Sequence, residues 1–203
     1  MNRAVMSRAL LALALPFTLI ACSPATDKSA AEAPLAGATI GGPFTLTDSN
    51  GQTVRWSDFA GKYRVVYFGY TYCPDVCPTE MQHLAQGFAA YKKDHPKLAA
   101  EIVPMFISVD PGRDTPKVVG EFVHAFSDDI VGLTGTPEQV TQATKAFLIT
   151  VEKSEPNSEG GYLVNHSTQA YLMGREGEPI ALVPVDVNDG GASVKASLEK
   201  WVS

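Results

Sequence analysis

Two cysteines four residues apart, Cys73 and Cys77, stand where an apolar run ending at Phe68 and Gly69 gives way to Pro78, Thr79 and Glu80. The run 65–68 is of β type, Pro78 suits the first position of a helix, and Glu80 suits its first turn. A chain patterned this way brings a strand end, a tight link and a helix start together, with both thiols at the junction. If the turn holding them is helical or nearly so, residues i and i+4 share a side and both sulfurs point one way. Partial positive charge at a helix N-terminus favours thiolate, the form that binds metal or attacks a disulfide. The pair alone leaves two readings open, a reactive dithiol and a structural disulfide.

The rest of the chain weighs against a staple. With 203 residues and 45% hydrophobic content it has enough core to fold without one. The formal charge of −6 and the lack of a basic face count against nucleic acid as a partner. A third cysteine, Cys22, belongs to a different signal. Arg3 and Arg8 precede an apolar run, 9–21, that is too short to span a bilayer and suits a signal peptide. Its end, Leu19-Ile20-Ala21-Cys22, resembles the bacterial lipobox, in which the cysteine is lipidated and becomes the first residue. The alternative is an ordinary cleaved signal with an incidental cysteine.

The expectation is therefore a lipoprotein signal peptide over 1–21 and a lipid on Cys22 at the periplasmic face of the bacterial inner membrane. An Ala-, Pro-, Ser- and Thr-rich flexible tether over 22–38 follows, then one domain over 39–203. Outside the cytoplasm Cys73 and Cys77 oxidise unless a metal occupies them or a reductant, such as a thioredoxin-like protein, keeps them open.

Segments 44–47 and 53–56 flank Asp48-Ser49-Asn50-Gly51 and read as a hairpin, and 57–59 as one helical turn. Strands are predicted over 64–69, 102–109, 130–133, 162–164, 171–173 and 180–183. Helices are predicted from Pro78 to about 93, from Pro116 behind a Thr115 cap, from Pro137 behind a Thr136 capping box, and over 192–202. Strands alternating with helices, closed by a terminal hairpin and helix, suggest an α/β, thioredoxin-like sandwich with an added N-terminal β-hairpin. Such folds carry reactive cysteines at the strand-to-helix junction, where Cys73 and Cys77 lie.

A candidate third ligand is His166, in a turn beside the terminal hairpin. Two thiolates and an imidazole form a soft set that suits copper, as Cu(I) or Cu(II), and is one ligand short of a closed zinc site. The plainer reading is a hydrogen-bonded loop histidine. Asp110, after a buried strand, is a candidate for supporting the ligands from behind, although an Asp-Pro turn needs no function. Arg113 and Asp114 read equally as a local turn pair. Tyr67, Tyr70 and Tyr72 read as core, as shielding or as a partner surface. His83, His95 and His124 read as structural or solvated.

Gly69-Tyr70-Thr71-Tyr72-Cys73-Pro74-Asp75-Val76-Cys77-Pro78 and Ser108-Val109-Asp110-Pro111-Gly112-Arg113-Asp114-Thr115-Pro116 stand in that order. Gly132-Leu133-Thr134-Gly135 and Tyr162-Leu163-Val164-Asn165-His166-Ser167 follow them. Together they resemble the Sco/SenC family of copper-binding assembly factors for cytochrome c oxidase, over about residues 40 to 203. The resemblance implies a thioredoxin-like fold, membrane anchoring, and copper held by Cys73, Cys77 and His166. It also implies either copper delivery to the copper A centre of oxidase subunit II or, alternatively, reduction of that subunit's cysteines by the Cys73–Cys77 dithiol. Asn165 departs from the pattern, since family members often carry Asp before the histidine. A peroxidase on the same fold is disfavoured, because no Thr stands three residues before a lone nucleophilic cysteine.

Overall fold

A computed structural model describes Met1 and residues 33–203 apart from Glu159. The expected signal peptide, the lipid site at Cys22 and most of the tether lie outside the described residues. Seven strands form one sheet in the order β2-β1-β5-β4-β3-β8-β9. They are β1 (Thr45–Asp48), β2 (Thr53–Arg55), β3 (Tyr63–Gly69), β4 (Ile102–Ser108), β5 (Val131–Thr134), β8 (Ala170–Met173) and β9 (Pro179–Val183). Two further strands, β6 (Val151–Lys153) and β7 (Val164–His166), pair with each other in a separate ribbon.

The middle of the sheet is parallel, β3 against β4 and β4 against β5, while β8 and β9 run antiparallel beyond β3. β3 is buried along its whole length, which is why its sequence is a near-continuous apolar run instead of an alternation. The N-terminal hairpin is integral to the sheet, because β1 continues it antiparallel from β5 with Thr47 opposite Thr134. The architecture is the expected α/β sandwich. Tyr67 and Phe106 lie on one face, where Phe106 meets Phe122 with ring centroids 5.0 Å apart. Phe68 points to the other face and meets Phe147 at 5.3 Å.

The helices are α1 (Val76–Asp94), a short α2 (Pro96–Ala99), α3 (Pro116–His124), α4 (Pro137–Ala146) and α5 (Ala192–Trp201). Thr115 caps α3 by accepting from the Val118 amide, and Thr136 with Gln139 forms the predicted capping box on α4. α1 packs closely on α5. A Cβ added at Gly87 would lie 2.5 Å from the Gly191 carbonyl oxygen and 2.5 Å from the Val194 Cβ, so only glycine permits that approach.

Strand ends shift by one or two residues from the sequence reading, β7 falling at Val164–His166 instead of 162–164, and three larger differences stand out. The segment 33–38, assigned to the tether, is already part of the fold: Ala33 is buried and the Leu35 amide donates to the Ile180 oxygen at 3.0 Å. α1 begins at Val76 instead of Pro78, so Pro78 occupies its third position. The first four amides of a helix have no internal acceptor, and proline sacrifices nothing there. β6 was not foreseen, and it makes His166 a strand residue paired with Val151 instead of a turn residue. Three exposed residues, Val151 to Lys153, carry no burial pattern to betray a strand.

Candidate metal centre

β3 ends at Gly69, and that glycine makes room for a thiol. A Cβ there would lie 2.9 Å from the rings of Phe106 and Tyr67 and 3.2 Å from the Cys77 Sγ. The link then runs through Cys73 into α1, whose first turn holds Cys77. The Cys77 amide donates to the Cys73 Sγ at 3.3 Å, so sulfur satisfies one of the orphan amides at the helix start. Both cysteines are free thiols, Cys77 fully buried and Cys73 half-buried.

The helix start does not make Cys77 a thiolate in the metal-free protein. Burial, reinforced by its hydrogen bond with Cys73, pushes the thiol up to about 12, which outweighs the favourable helix end. Tyr67, fully buried, and Glu80 lie on its inner side, where burial likewise raises both groups.

The link is tied from below by Asp114. Its carboxylate accepts from the Thr71 amide at 3.1 Å, from the Thr71 hydroxyl at 2.6 Å, and from the Ser108 hydroxyl. Burial raises the Asp114 carboxyl above its ordinary value, against the pull of the hydrogen bonds from Ser108 and Thr71. Arg113 and Asp114 are therefore not a turn pair. Arg113 pairs with Asp110, while Asp114 serves the cysteine link.

From the other side β7 brings His166, whose Nε2 lies 3.5 Å from the Cys77 Sγ. Its Nδ1 lies 2.8 Å from the Ser167 carbonyl oxygen. A carbonyl only accepts, so Nδ1 carries the ring proton, and burial holds the imidazole below its ordinary pKa. A neutral ring in that tautomer aims the Nε2 lone pair at the sulfur, the orientation a metal ligand needs. The Tyr70 ring meets the imidazole edge to face at 5.9 Å.

Asp110 makes its contacts away from the sulfurs and the imidazole. This wholly buried carboxylate accepts from Arg113, from Lys153 Nζ at 2.9 Å and from the Tyr162 hydroxyl at 2.8 Å. Burial alone would raise its pKa, but the hydrogen bonds from Lys153, Arg113 and Tyr162 outweigh it and hold the carboxyl below the usual range. Lys153 and Tyr162 were not singled out as a pair from the sequence, because only the β6–β7 pairing brings them together. Asn165 is exposed and stands opposite Glu152. Successive strand residues face opposite ways, so a side chain at 165 points away from the one at 166. His83 donates through Nδ1 to the Val185 carbonyl oxygen at 2.8 Å within the core, His95 faces Glu199 and His124 faces Asp128. None of these three joins the centre.

A cleft of about 270 Å³ opens over Cys73 and His166, between Tyr70, Val76 and Leu163. Its surroundings include three exposed apolar side chains, Tyr72, Val76 and Leu163. Among the described residues no group of three or more His, Cys, Asp or Glu side chains is already gathered closely enough to hold a metal ion. The donors present, two thiols and a neutral imidazole, suit a soft ion of low coordination number.

Comparison with known proteins gives these features a family. The pattern described as SCO1/SenC matches residues 32–203. SenC of Rhodobacter capsulatus is 45% identical over 139 residues, which are 68% of this chain and 60% of that protein. The chain spans between 42% and 60% of the length of this and three other curated relatives it matches. A structure of Bradyrhizobium japonicum ScoI with copper bound superposes with a TM-score of 0.72 at 34% identity, covering 80% of this chain and 99% of that one. A SCO1/SenC family lipoprotein from Bacillus anthracis superposes at 0.66 with 25% identity, covering 80% of this chain and 94% of that one. The strand-to-helix dithiol, the histidine brought to it and the match over the folded part together establish that this chain belongs to the SCO1/SenC family.

Proposed function

We propose that this chain is a copper metallochaperone. It holds one copper ion on Cys73, Cys77 and His166 and passes it to the copper A centre of cytochrome c oxidase subunit II. The observation that carries this reading is the His166 Nε2 standing 3.5 Å from the Cys77 Sγ with its lone pair directed there. The donor set fits copper as Cu(I) or Cu(II), and the copper-bound ScoI relative supports the same choice of ion. Copper entry displaces the protons of the thiols and draws Cys73 to the Cys77–His166 pair. Three protein ligands leave a position through which a partner's thiolate or imidazole exchanges onto the metal. Tyr72, Val76 and Leu163 around the cleft offer that partner an apolar landing surface. A lipid on Cys22 would hold the protein at the membrane, on the periplasmic side, where the oxidase subunit presents its copper site. The lipoprotein relative supports that anchoring.

Titration of the reduced protein with copper tests this. One ion binds per chain, binding is lost in Cys73→Ala and Cys77→Ala and falls to a weak residual affinity in His166→Ala, and the loaded protein passes copper to a purified subunit II fragment. Stoichiometric binding with an unchanged spectrum in His166→Ala would remove that residue from the site.

A second reading, reduction of a disulfide in subunit II, draws on one observation. The half-buried Cys73 receives the Cys77 amide, which suits an attacking sulfur at a helix start. Rapid reduction of the partner's disulfide without copper would favour it over delivery.

A further inference from the structure

The imidazole and the sulfurs sit on different pieces of structure. Cys73 and Cys77 follow β3 of the main sheet, whereas His166 ends a two-stranded ribbon that no ladder joins to that sheet. With no ladder to the main sheet, the place of His166 is left to the short link into β8 and to contacts at the two ends of the ribbon. At the open end of the ribbon, Thr150 and Ser167 exchange hydrogen bonds at 3.1 Å, and Val164 is buried against the core.

At its loop end the work falls to Asp110, just past β4. Its Oδ1 accepts from Lys153, the last residue of β6, and from the Tyr162 hydroxyl, two residues before β7. Its Oδ2 accepts from Arg113 Nε. Arg113 in turn donates through Nη1 to the Tyr162 carbonyl at 2.9 Å. The guanidinium lies 3.7 Å over the Tyr162 ring, 4.8 Å from that of Tyr72 and 5.7 Å from that of Tyr70. One buried carboxylate thus gathers the end of β6 and the approach to β7, and through Arg113 it also reaches the link that carries Cys73.

We propose that Asp110, Arg113, Lys153 and Tyr162 form a clamp that seats the β6–β7 ribbon and so holds His166 against Cys77. They are positioning residues, not ligands. The consequence for copper rests on the chaperone reading, whereas the mechanical part does not. Removing the charge of Asp110 leaves Arg113 and Lys153 facing a group that no longer binds them both, and no backbone ladder ties the ribbon to the main sheet.

The test uses Asp110→Asn, which keeps the shape and removes the charge. In the reduced, metal-free protein, amide hydrogen exchange over 151–153 and 164–166 rises about tenfold, while β3, β4 and α1 are unchanged. Tyr162→Phe keeps the ring under Arg113 and loses only the hydroxyl. It gives a smaller rise in the same residues and serves if the Asn variant folds poorly. Unaltered exchange in a folded variant overturns the clamp.

The second arm is a double-mutant cycle on copper affinity. Asp110→Asn weakens binding by about tenfold or more in the wild type and not at all in His166→Ala, since a residue acting through the imidazole has nothing to act on there. Equal losses in both backgrounds, or no loss in either, overturn the proposal. Should the wild type bind no copper, the chaperone reading fails and the exchange experiment alone decides the clamp.

Discussion

The buried proton on Cys77 leads to a sharp prediction about reactivity. At pH 8 an ordinary free thiol, with a pKa near 8.5, is about one-quarter ionised. A thiol pushed up to about 12 is ionised at a level on the order of 10⁻⁴ at that pH, so alkylation slows by roughly three orders of magnitude. Its lack of exposure slows it further, whereas Cys73 is half-open at the cleft. Brief treatment of the reduced, metal-free protein with iodoacetamide at pH 8, followed by peptide mass spectrometry, should label Cys73 and leave Cys77 unmodified. Labelling of Cys77 should rise about tenfold per pH unit toward its pKa and become fast in denaturant. The same proton has to leave when copper binds, so affinity should rise with pH by at least about tenfold per unit through neutrality. Comparable labelling rates for the two cysteines in the folded protein at pH 8 would refute the argument.

Two further outcomes follow from packing and charge. The Asp110 carboxyl is held below its ordinary value, so its contribution is complete above about pH 3.9 and lost as pH falls through the lower, folded pKa. Amide chemical shifts of Lys153 and Tyr162 should therefore hold steady from pH 6 down to about 4 and move only below it; a transition above pH 5 would contradict the hydrogen bonding described. Gly87→Ala should cost about 1–3 kcal/mol in urea unfolding, because its Cβ would meet the Gly191 carbonyl and Val194, and an unchanged midpoint would show that the contact relaxes freely.

The parts of the structure visible in the sequence are those written in local chemistry. Thr115-Pro116 and Thr136-Pro137 announced α3 and α4 because a cap and a following proline satisfy a helix start without help from the rest of the chain. The 65–68 run announced β3 because a strand covered on both faces loses the alternation of apolar and polar residues. Cys73 and Cys77 were legible for the same reason, as neighbours across a strand-to-helix junction. What stayed hidden depends on distant pairing. β6 is three exposed residues that acquire a partner only through Val151 and His166, and with it came the roles of Lys153 and Tyr162. Asp114 looked like the partner of Arg113 next door, yet its hydrogen bonds reach back to Thr71, which no spacing rule reveals. The local argument for a Cys77 thiolate also failed, because the helix end was visible in the sequence and the depth of burial was not.

The seating of Leu35 on β9 has a consequence for solubility. β9 is the last strand of the sheet, and its outward side would offer bare main-chain groups beside the exposed Leu182. An uncovered border of that kind invites a second molecule to add a strand to it. The Leu35 amide occupies the Ile180 carbonyl, and Ala33 is buried beside it. The segment that leads into the domain thereby doubles as a guard against self-association, and a version of the protein trimmed to begin at the first strand would lose it.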